Sequence, residues 1–317
     1  MIELSFIVPC LNSSKTINET LTSIFAQQTD FEFEVIVVDN GSSDHTIELA
    51  RQFDVTVIRE NKRGPGLARN AGIKAASGRY IAFVDSDVTL EPTWAQVLMN
   101  YISKYKLLAA QGQVILSSNG NSLLDSYRTA HKTNHPTDWI SLATSDYKVG
   151  HINTAACIYK AQALKQVKGF STSIRYHEDV DLTLKIRSLP DGAIGCTREA
   201  KSYCFYTQTL ASYLKRAFVY GFHLAVVAKK WNYKKSFPVL SRHWGSLQLS
   251  LFDCLVNTLS YSGYRLGVLS LRFHKSETFE KESKFIQMIA ALPKHKDFKV
   301  YFECEEIHSL LKQRVLS

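Results

Sequence analysis

The stretch GRYIAFVDSDVTLEP, residues 78–92, decides the fold. Tyr80 to Val84 are apolar and β-favouring, and the run ends on Asp85 and Asp87 with only Ser86 between them. A buried strand that stops at two carboxylates has either a turn in which one aspartate caps the next helix, or a site that uses negative charge. Alone, the triplet suits both, and its neighbours must discriminate.

Outward from it, strand and helix signals alternate. ELSFIVP reads as a first strand, FEVIVVD as a second and VTVIRE as a third, each a near-continuous apolar run. Between them, Thr16 and Glu19 form an S/T-x-x-E capping box before Ile17, Leu21 and Ile24 on one helical face, and Asp44 can cap the helix HTIELARQF. GLARNAGIKAAS supplies a third helix, and LLAAQGQVIL a fifth strand after YIAFVD. Buried strands separated by helices of about three turns predict an α/β fold with a parallel succession of strands and helices on both faces.

In open α/β sheets, ligands bind beyond the carboxyl ends of the strands. Pro9 and Asn12, Asp39, and Asp85 with Asp87 stand at those ends and are expected to share one crevice. VVDNGSSDHT and NKRGPGLARNAGI add small residues before helix starts, with Gly64, Gly66, Arg69 and Asn70. Neither segment matches G-x-G-x-x-G or G-x-x-x-x-G-K-[ST], so dinucleotide and P-loop readings lack their phosphate cradle. Carboxylates with a basic residue suit a nucleotide diphosphate held through a divalent cation. The bland readings stand beside these: Asp39 as an Asx turn, Arg69 as a solvated helix residue, Asn12 as a shaper of its loop.

FIVPCLN, VIVVDNGSSDHT, GPGLARNAGIKAASGRYIAFVDSDV and HEDVDLTLKIR, in that order, resemble the motifs of the family 2 glycosyltransferases of GT-A fold over about residues 2–230. The resemblance implies a Rossmann-like mixed sheet and an inverting transfer from a nucleotide-sugar, a UDP-sugar ahead of a GDP-sugar, to an acceptor hydroxyl. It implies nucleotide-sugar contacts at Pro9, Asn12, Asp39, Arg69, Asp85 and Ser86. The divalent metal, Mn or Mg, falls to Asp87 with Asp85, and the general base to Asp179 with Glu178 in support. Three acids, Glu178, Asp179 and Asp181, at a helix start also simply complement the macrodipole. One departure is plain: many members carry a histidine ligand before the following basic helix, where AKSYCFYTQT offers Tyr203 and Tyr206. Metal binding then rests on the aspartates, the diphosphate and water, or the site is impaired.

The 317 residues, 45% hydrophobic and 21% charged, suffice for one large core and a smaller lobe. The division expected is a catalytic domain over 1–205, with a nucleotide-sugar half at 1–104 and an acceptor half at 105–205, then a basic helical region over 206–317. The loop-rich part before residue 150, Trp139 included, is assigned to the acceptor. Charge follows that division: residues 1–200 hold 20 Lys+Arg against 21 Asp+Glu, and 201–317 hold 18 against 8. Basicity confined to the last third argues against a nucleic-acid partner. Leu210, Leu214, Ala217, Phe218, Gly221, Leu224, Ala225 and Ala228 keep helical spacing, and the long apolar segment after Gly245 is broken by Asp253 and Arg265. The first helix suits a packed lobe. The second suits in-plane attachment to an anionic membrane surface, next to a glycan or lipid-linked acceptor. The tail containing FECEEIHSLLKQR reads as helical. MIELSFIVPC reads as a strand and not a secretory signal, and six cysteines without metal-ligand spacing read as reduced thiols, so a cytoplasmic protein peripheral on the inner face of the cell membrane is expected. Two readings stay open beside the transferase: an impaired nucleotide-sugar-binding relative, and a lipid-binding module on the same fold.

Overall fold

The computed structural model describes residues 1–117, 124, 127, 139–141, 151–205, 209–231 and 247–273, all within one compact unit, Met1–Phe273. Four strands run parallel in the order β3 (Thr56–Arg59), β2 (Phe33–Asp39), β1 (Leu4–Cys10), β4 (Tyr80–Val84). Their apolar runs follow from burial on both faces. Leu4, Phe6 and Val8 of β1 pack with Ile17, Leu21 and Ile24 of α1 (Ile17–Phe25) and Trp94, Leu98 and Ile102 of α4 (Trp94–Tyr105). Ile7 packs on the other face with Ala68 of α3 (Pro65–Ala75), and with Leu182 and Ile186 of α6 (Glu178–Arg187). Gly72 of α3 lets that helix close on β1, since a Cβ there would stand 2.4 Å from Ile7 Cγ2.

Beyond β4 the sheet becomes mixed. β8 (Ala156–Lys160) lies antiparallel between β4 and β6 (Ala109–Ser117), and β9 (Ile194–Phe205) follows parallel to β6. β5 (Val88–Leu90) and β7 (Trp139–Ser141) pair antiparallel with the two ends of β9. The remaining helices are α2 (Thr46–Ala50), α5 (Ala161–Gln166), α7 (Leu210–Lys230) and α8 (Leu247–Phe273).

Two local expectations are corrected. Thr16 does precede α1, but its side chain makes no cap bond; the hydroxyl donates instead to the Ser86 carbonyl at 2.7 Å, a half-buried tertiary partner that takes the place of the helix end. The helix of HTIELARQF shrinks to five residues, because past Ala50 the chain tightens into shorter turns, with the Gln52 amide on the Leu49 carbonyl and the Phe53 amide on that of Ala50, both at 3.1 Å; Asp44 accepts the amides of Thr46, at the helix start, and of Ser14, both at 3.1 Å. Of the apolar stripe of α7, Leu214, Gly221, Leu224, Ala225 and Ala228 are buried and Ala217 and Phe218 half-buried, whereas Leu210 stays exposed. Among the described residues no helix is long and apolar enough to cross a membrane. The tail FECEEIHSLLKQR lies outside the described residues, as does most of the acceptor-side stretch before residue 150.

Candidate active site

The carboxyl ends of β1, β2 and β4 meet at one edge of the sheet. Asp39 is buried there, and its Oδ1 accepts the amides of Gly41 at 3.1 Å and Ser42 at 2.7 Å, so the Asx turn is realised. Its neighbour Asn40 went unread in the sequence. Asn40 Nδ2 donates to the carbonyls of Glu60 and Lys62, at 3.0 and 2.8 Å, while Oδ1 accepts the Gly64 amide at 2.8 Å. One buried amide side chain thereby joins the loops after β2 and β3. Asn12, in the left-handed region at φ 54, shapes its loop by accepting the Ser43 amide at 2.8 Å.

The acid pair sits on a backbone fixed from several sides. The Asp85 amide donates to the Ala155 carbonyl and the Phe205 amide to the Asp87 carbonyl, both at 2.9 Å, and the hydroxyls of Ser86 and Ser13 meet at 2.7 Å. Buried Arg69 binds Asp85 Oδ1 through Nη2 at 2.7 Å and Glu178 Oε1 through Nη1 at 3.0 Å, with its guanidinium 5.6 Å from the Phe170 ring centroid. Burial works against its charge, but the two carboxylates outweigh burial and raise its pKa. The solvated-helix reading of Arg69 is therefore overturned. Burial, and beyond it the charge of Asp85, pushes Asp87 up to about 6. Glu178 is raised as well, by burial first and by Asp179, against the pull of Arg69.

α6 brings the second acid group. Asp179 Oδ1 accepts the Val180 amide at 2.8 Å and Oδ2 lies 3.7 Å from His151 Nε2. Asp181 differs from both its neighbours. It is wholly buried; Oδ1 accepts from Lys230 Nζ at 2.6 Å and Trp231 Nε1 at 2.8 Å, and Oδ2 from the Ser171 hydroxyl at 2.5 Å.

A cleft of about 670 Å³ opens on this edge, and Pro9, Asn12, Arg69, Asp85, Ser86 and Asp87 all line it. Asp39, Glu178 and Asp179 do not; Asp39 is buried, and Glu178 reaches the lining only through its ion pair with Arg69. Lys15, Arg63 and Arg175 join the lining, with Tyr176 and Phe205. Those three exposed cations were missed, although each adjoins a quoted motif, in LNSSK, NKRGPG and IRYHED. Cations and acids around one pocket suit a polyanion bound directly and through a metal. Tyr203 takes no part, since its hydroxyl donates to Glu91 Oε1 at 2.8 Å, and Tyr206 lies outside the described residues. Among the described residues no three His, Cys, Asp or Glu side chains gather as a metal-ligand group.

The sequence pattern of the family described as Glycosyl transferase family 2 matches residues 5–167. Poly(ribitol-phosphate) beta-N-acetylglucosaminyltransferase TarS of Staphylococcus aureus (strain Mu50) is 42% identical over 96 residues, 27% of this chain and 16% of that protein. Poly-beta-1,6-N-acetyl-D-glucosamine synthase of Staphylococcus epidermidis is 28% identical over 191 residues, 58% of this chain and 45% of the synthase. The chain thus spans less than half the length of either relative. In fold it resembles residues 1–349 of TarS in complex with UDP-GlcNAc, with TM-score 0.56 and 20% identity over 90% of this chain and 79% of that one. The mannosyltransferase PcManGT of Pyrobaculum calidifontis in complex with GDP-Man and Mn2+ gives TM-score 0.54 and 17% identity, over 93% and 81%.

Proposed function

The chain belongs to glycosyltransferase family 2, among whose members are its cell-surface polysaccharide synthase relatives, and from that premise we propose an inverting transfer of sugar from a nucleotide-diphosphate sugar to an acceptor hydroxyl. The observation that carries it is Arg69, one buried guanidinium bound at once to Asp85 of the acid pair and Glu178 of α6. It ties the side that receives the leaving diphosphate to the side that receives the acceptor.

In this reading the donor lies in the cleft with its base over the Asp39 and Asn40 loop and its diphosphate toward Asp85, Ser86 and Asp87. Lys15, Arg63 and Arg175 balance the phosphate charge. The two carboxylates fit a divalent cation, because both offer hard oxygen ligands and the ionised form of Asp87 is short of positive charge. Mn or Mg held by Asp87 and Asp85 would supply positive charge for the departing diphosphate. Asp179 accepts the acceptor's proton as the oxygen forms its bond to the anomeric carbon from the opposite face. The anomeric bond to the diphosphate breaks in the same displacement, and the electron pair leaves with the phosphate oxygen. Glu178 keeps Arg69 in place while this occurs. A UDP-sugar is favoured over a GDP-sugar, as one relative's name specifies N-acetylglucosaminyl transfer. A glycan or lipid-linked acceptor at an anionic membrane surface, on the inner face of the cell membrane, suits the basic region from residue 206. A second reading, donor binding without transfer, draws on AKSYCFYTQT, where Tyr203 stands and turns to Glu91.

The deciding variant is Asp179→Asn, which keeps size but cannot take the proton. At saturating donor, transfer should fall by about 10² to 10⁴-fold while binding of the nucleoside diphosphate is retained. A stable Asp179→Asn protein that transfers at the parent rate removes Asp179 from the reaction. A parent that binds donor and never transfers establishes the second reading.

A further inference from the structure

We propose that Asp181 and Lys230 are positioning residues of the transfer reaction, an ion pair through which α7 sets the first turn of α6 and so the carboxylates of Glu178 and Asp179. This rests on the role given to α6 above. The start of α6 lacks the usual local fixation: His177 occupies its N-cap position in the left-handed region, at φ 60, and no side chain caps the helix. Orientation must then come from tertiary contacts.

α7 supplies them at two points. The His177 ring donates from Nε2 to the Tyr220 carbonyl at 2.9 Å, and the Tyr176 ring lies 5.5 Å from that of Tyr220 and 4.7 Å from that of His223. One turn on, Lys230 Nζ reaches Asp181 Oδ1 at 2.6 Å and Ser171 Oγ at 3.1 Å, and Trp231 adds its indole N–H. Ile174, Leu184 and Val227 close an apolar cluster between the two contacts, with Val180 and Trp231 packed against it. Tyr220 and Lys230 are separated by about 15 Å along α7 and His177 and Asp181 by about 6 Å along α6, at 1.5 Å per residue. Two anchors so spaced, with the Arg69–Glu178 ion pair on the opposite side, restrain both the direction and the rotation of the first turn, and losing one loosens its rotation.

The sheet does not need this pair. Leu182 and Ile186 hold the body of α6 in the core irrespective of Lys230. Losing the ammonium leaves a wholly buried carboxylate with only Lys185, 3.7 Å away, for charge balance. A shift of the turn toward Lys185 relieves that, and Glu178 and Asp179 precede Asp181 by three and two residues. Misplacing a reacting group by about 1 Å costs on the order of 10²-fold in rate.

The test compares Lys230→Met and Lys230→Arg with the parent, full chain in each case, by hydrogen exchange over residues 178–184 and by steady-state transfer. Lys230→Met should exchange faster in that turn and lose roughly 10- to 100-fold in kcat with donor KM within about twofold, and Lys230→Arg should restore both. Should Lys230→Met fail to fold, Trp231→Phe, which drops one bond to Asp181 and keeps the ring, should show the same split in smaller degree. Unchanged exchange in residues 178–184 overturns the proposal, and so does a rate loss that follows global melting and is not rescued by arginine. A parent that transfers nothing from any nucleotide-sugar defeats the function, while the exchange comparison still decides whether α7 holds the turn.

Discussion

Asp87 carries the pH dependence of the cleft. Its carboxyl rises from an ordinary 3.8 to about 6 because burial, and then Asp85, penalise the charged form. The folded protein therefore holds this proton more tightly than the unfolded chain does, so stability falls as pH climbs from about 4 to 6 and stays lowered above. In protein stripped with EDTA, Asp87→Asn should melt higher than the parent above pH 6, by the order of 1 to 3 kcal/mol, and the gap should close toward pH 4. Added Mn2+ should raise the parent's melting temperature more at pH 7.5 than at pH 5, since the cation displaces the proton. Melting curves across that range decide it, and a gap independent of pH would mean that Asp87 ionises as freely in the fold as outside it. Arg69 shows the same logic with the opposite sign: two carboxylates within 3.0 Å outweigh the burial of the guanidinium.

At the scale of elements, α7 and α8 depend on glycine where they cross. A Cβ on Gly263 would stand 2.0 Å from the Phe218 carbonyl oxygen, and one on Gly221 would stand 1.9 Å from that of Ser260. Ordinary contact begins near 3.4 Å, so neither helix can accept a methyl group without backbone displacement. Gly263→Ala thus sets two effects against each other. Helix propensity favours alanine by about 1 kcal/mol, while overpacking against a backbone costs about 1 to 3 kcal/mol or more. The clash should win, and the variant should melt several degrees below the parent. A melting temperature at or above the parent's would show that the two helices do not meet at Gly263. The contrast with α1 is instructive. Its position follows from Ile17, Leu21 and Ile24 alone, but its first turn is joined to the acid loop through Thr16 and the Ser86 carbonyl, 70 residues away.

For the whole molecule, charge is the organising quantity. Residues 201–317 hold 18 Lys+Arg against 8 Asp+Glu. Lys230 is taken up by Asp181, and Arg216 binds the Tyr220 hydroxyl; α8 leaves Leu255 and Tyr261 exposed. The full chain should sediment with phosphatidylserine vesicles and be released as salt shortens the Debye length from about 10 Å at 0.1 M to about 3 Å at 1 M. Equal sedimentation with neutral vesicles, or indifference to salt, would favour a region that only packs on the catalytic unit. The strands β1, β2 and β4, the body of α1, and the meeting of Pro9, Asn12, Asp85 and Asp87 at one edge were legible in the chain's own order of residues. Those features depend on apolar period and on parallel connection, and both are written within stretches of about ten residues or follow from handed crossovers. Tertiary structure alone decided the antiparallel place of β8, the two ion pairs of buried Arg69, the cations Lys15, Arg63 and Arg175 in the cleft, and the burial of Asp181 under Lys230. In HEDVD the three acids are alike as sequence, and they part company only when Arg69, His151 and Lys230 arrive from 109, 28 and 49 residues away to meet one each. A charge's role is set by which partner the packed chain brings within about 4 Å, and no local pattern encodes that choice.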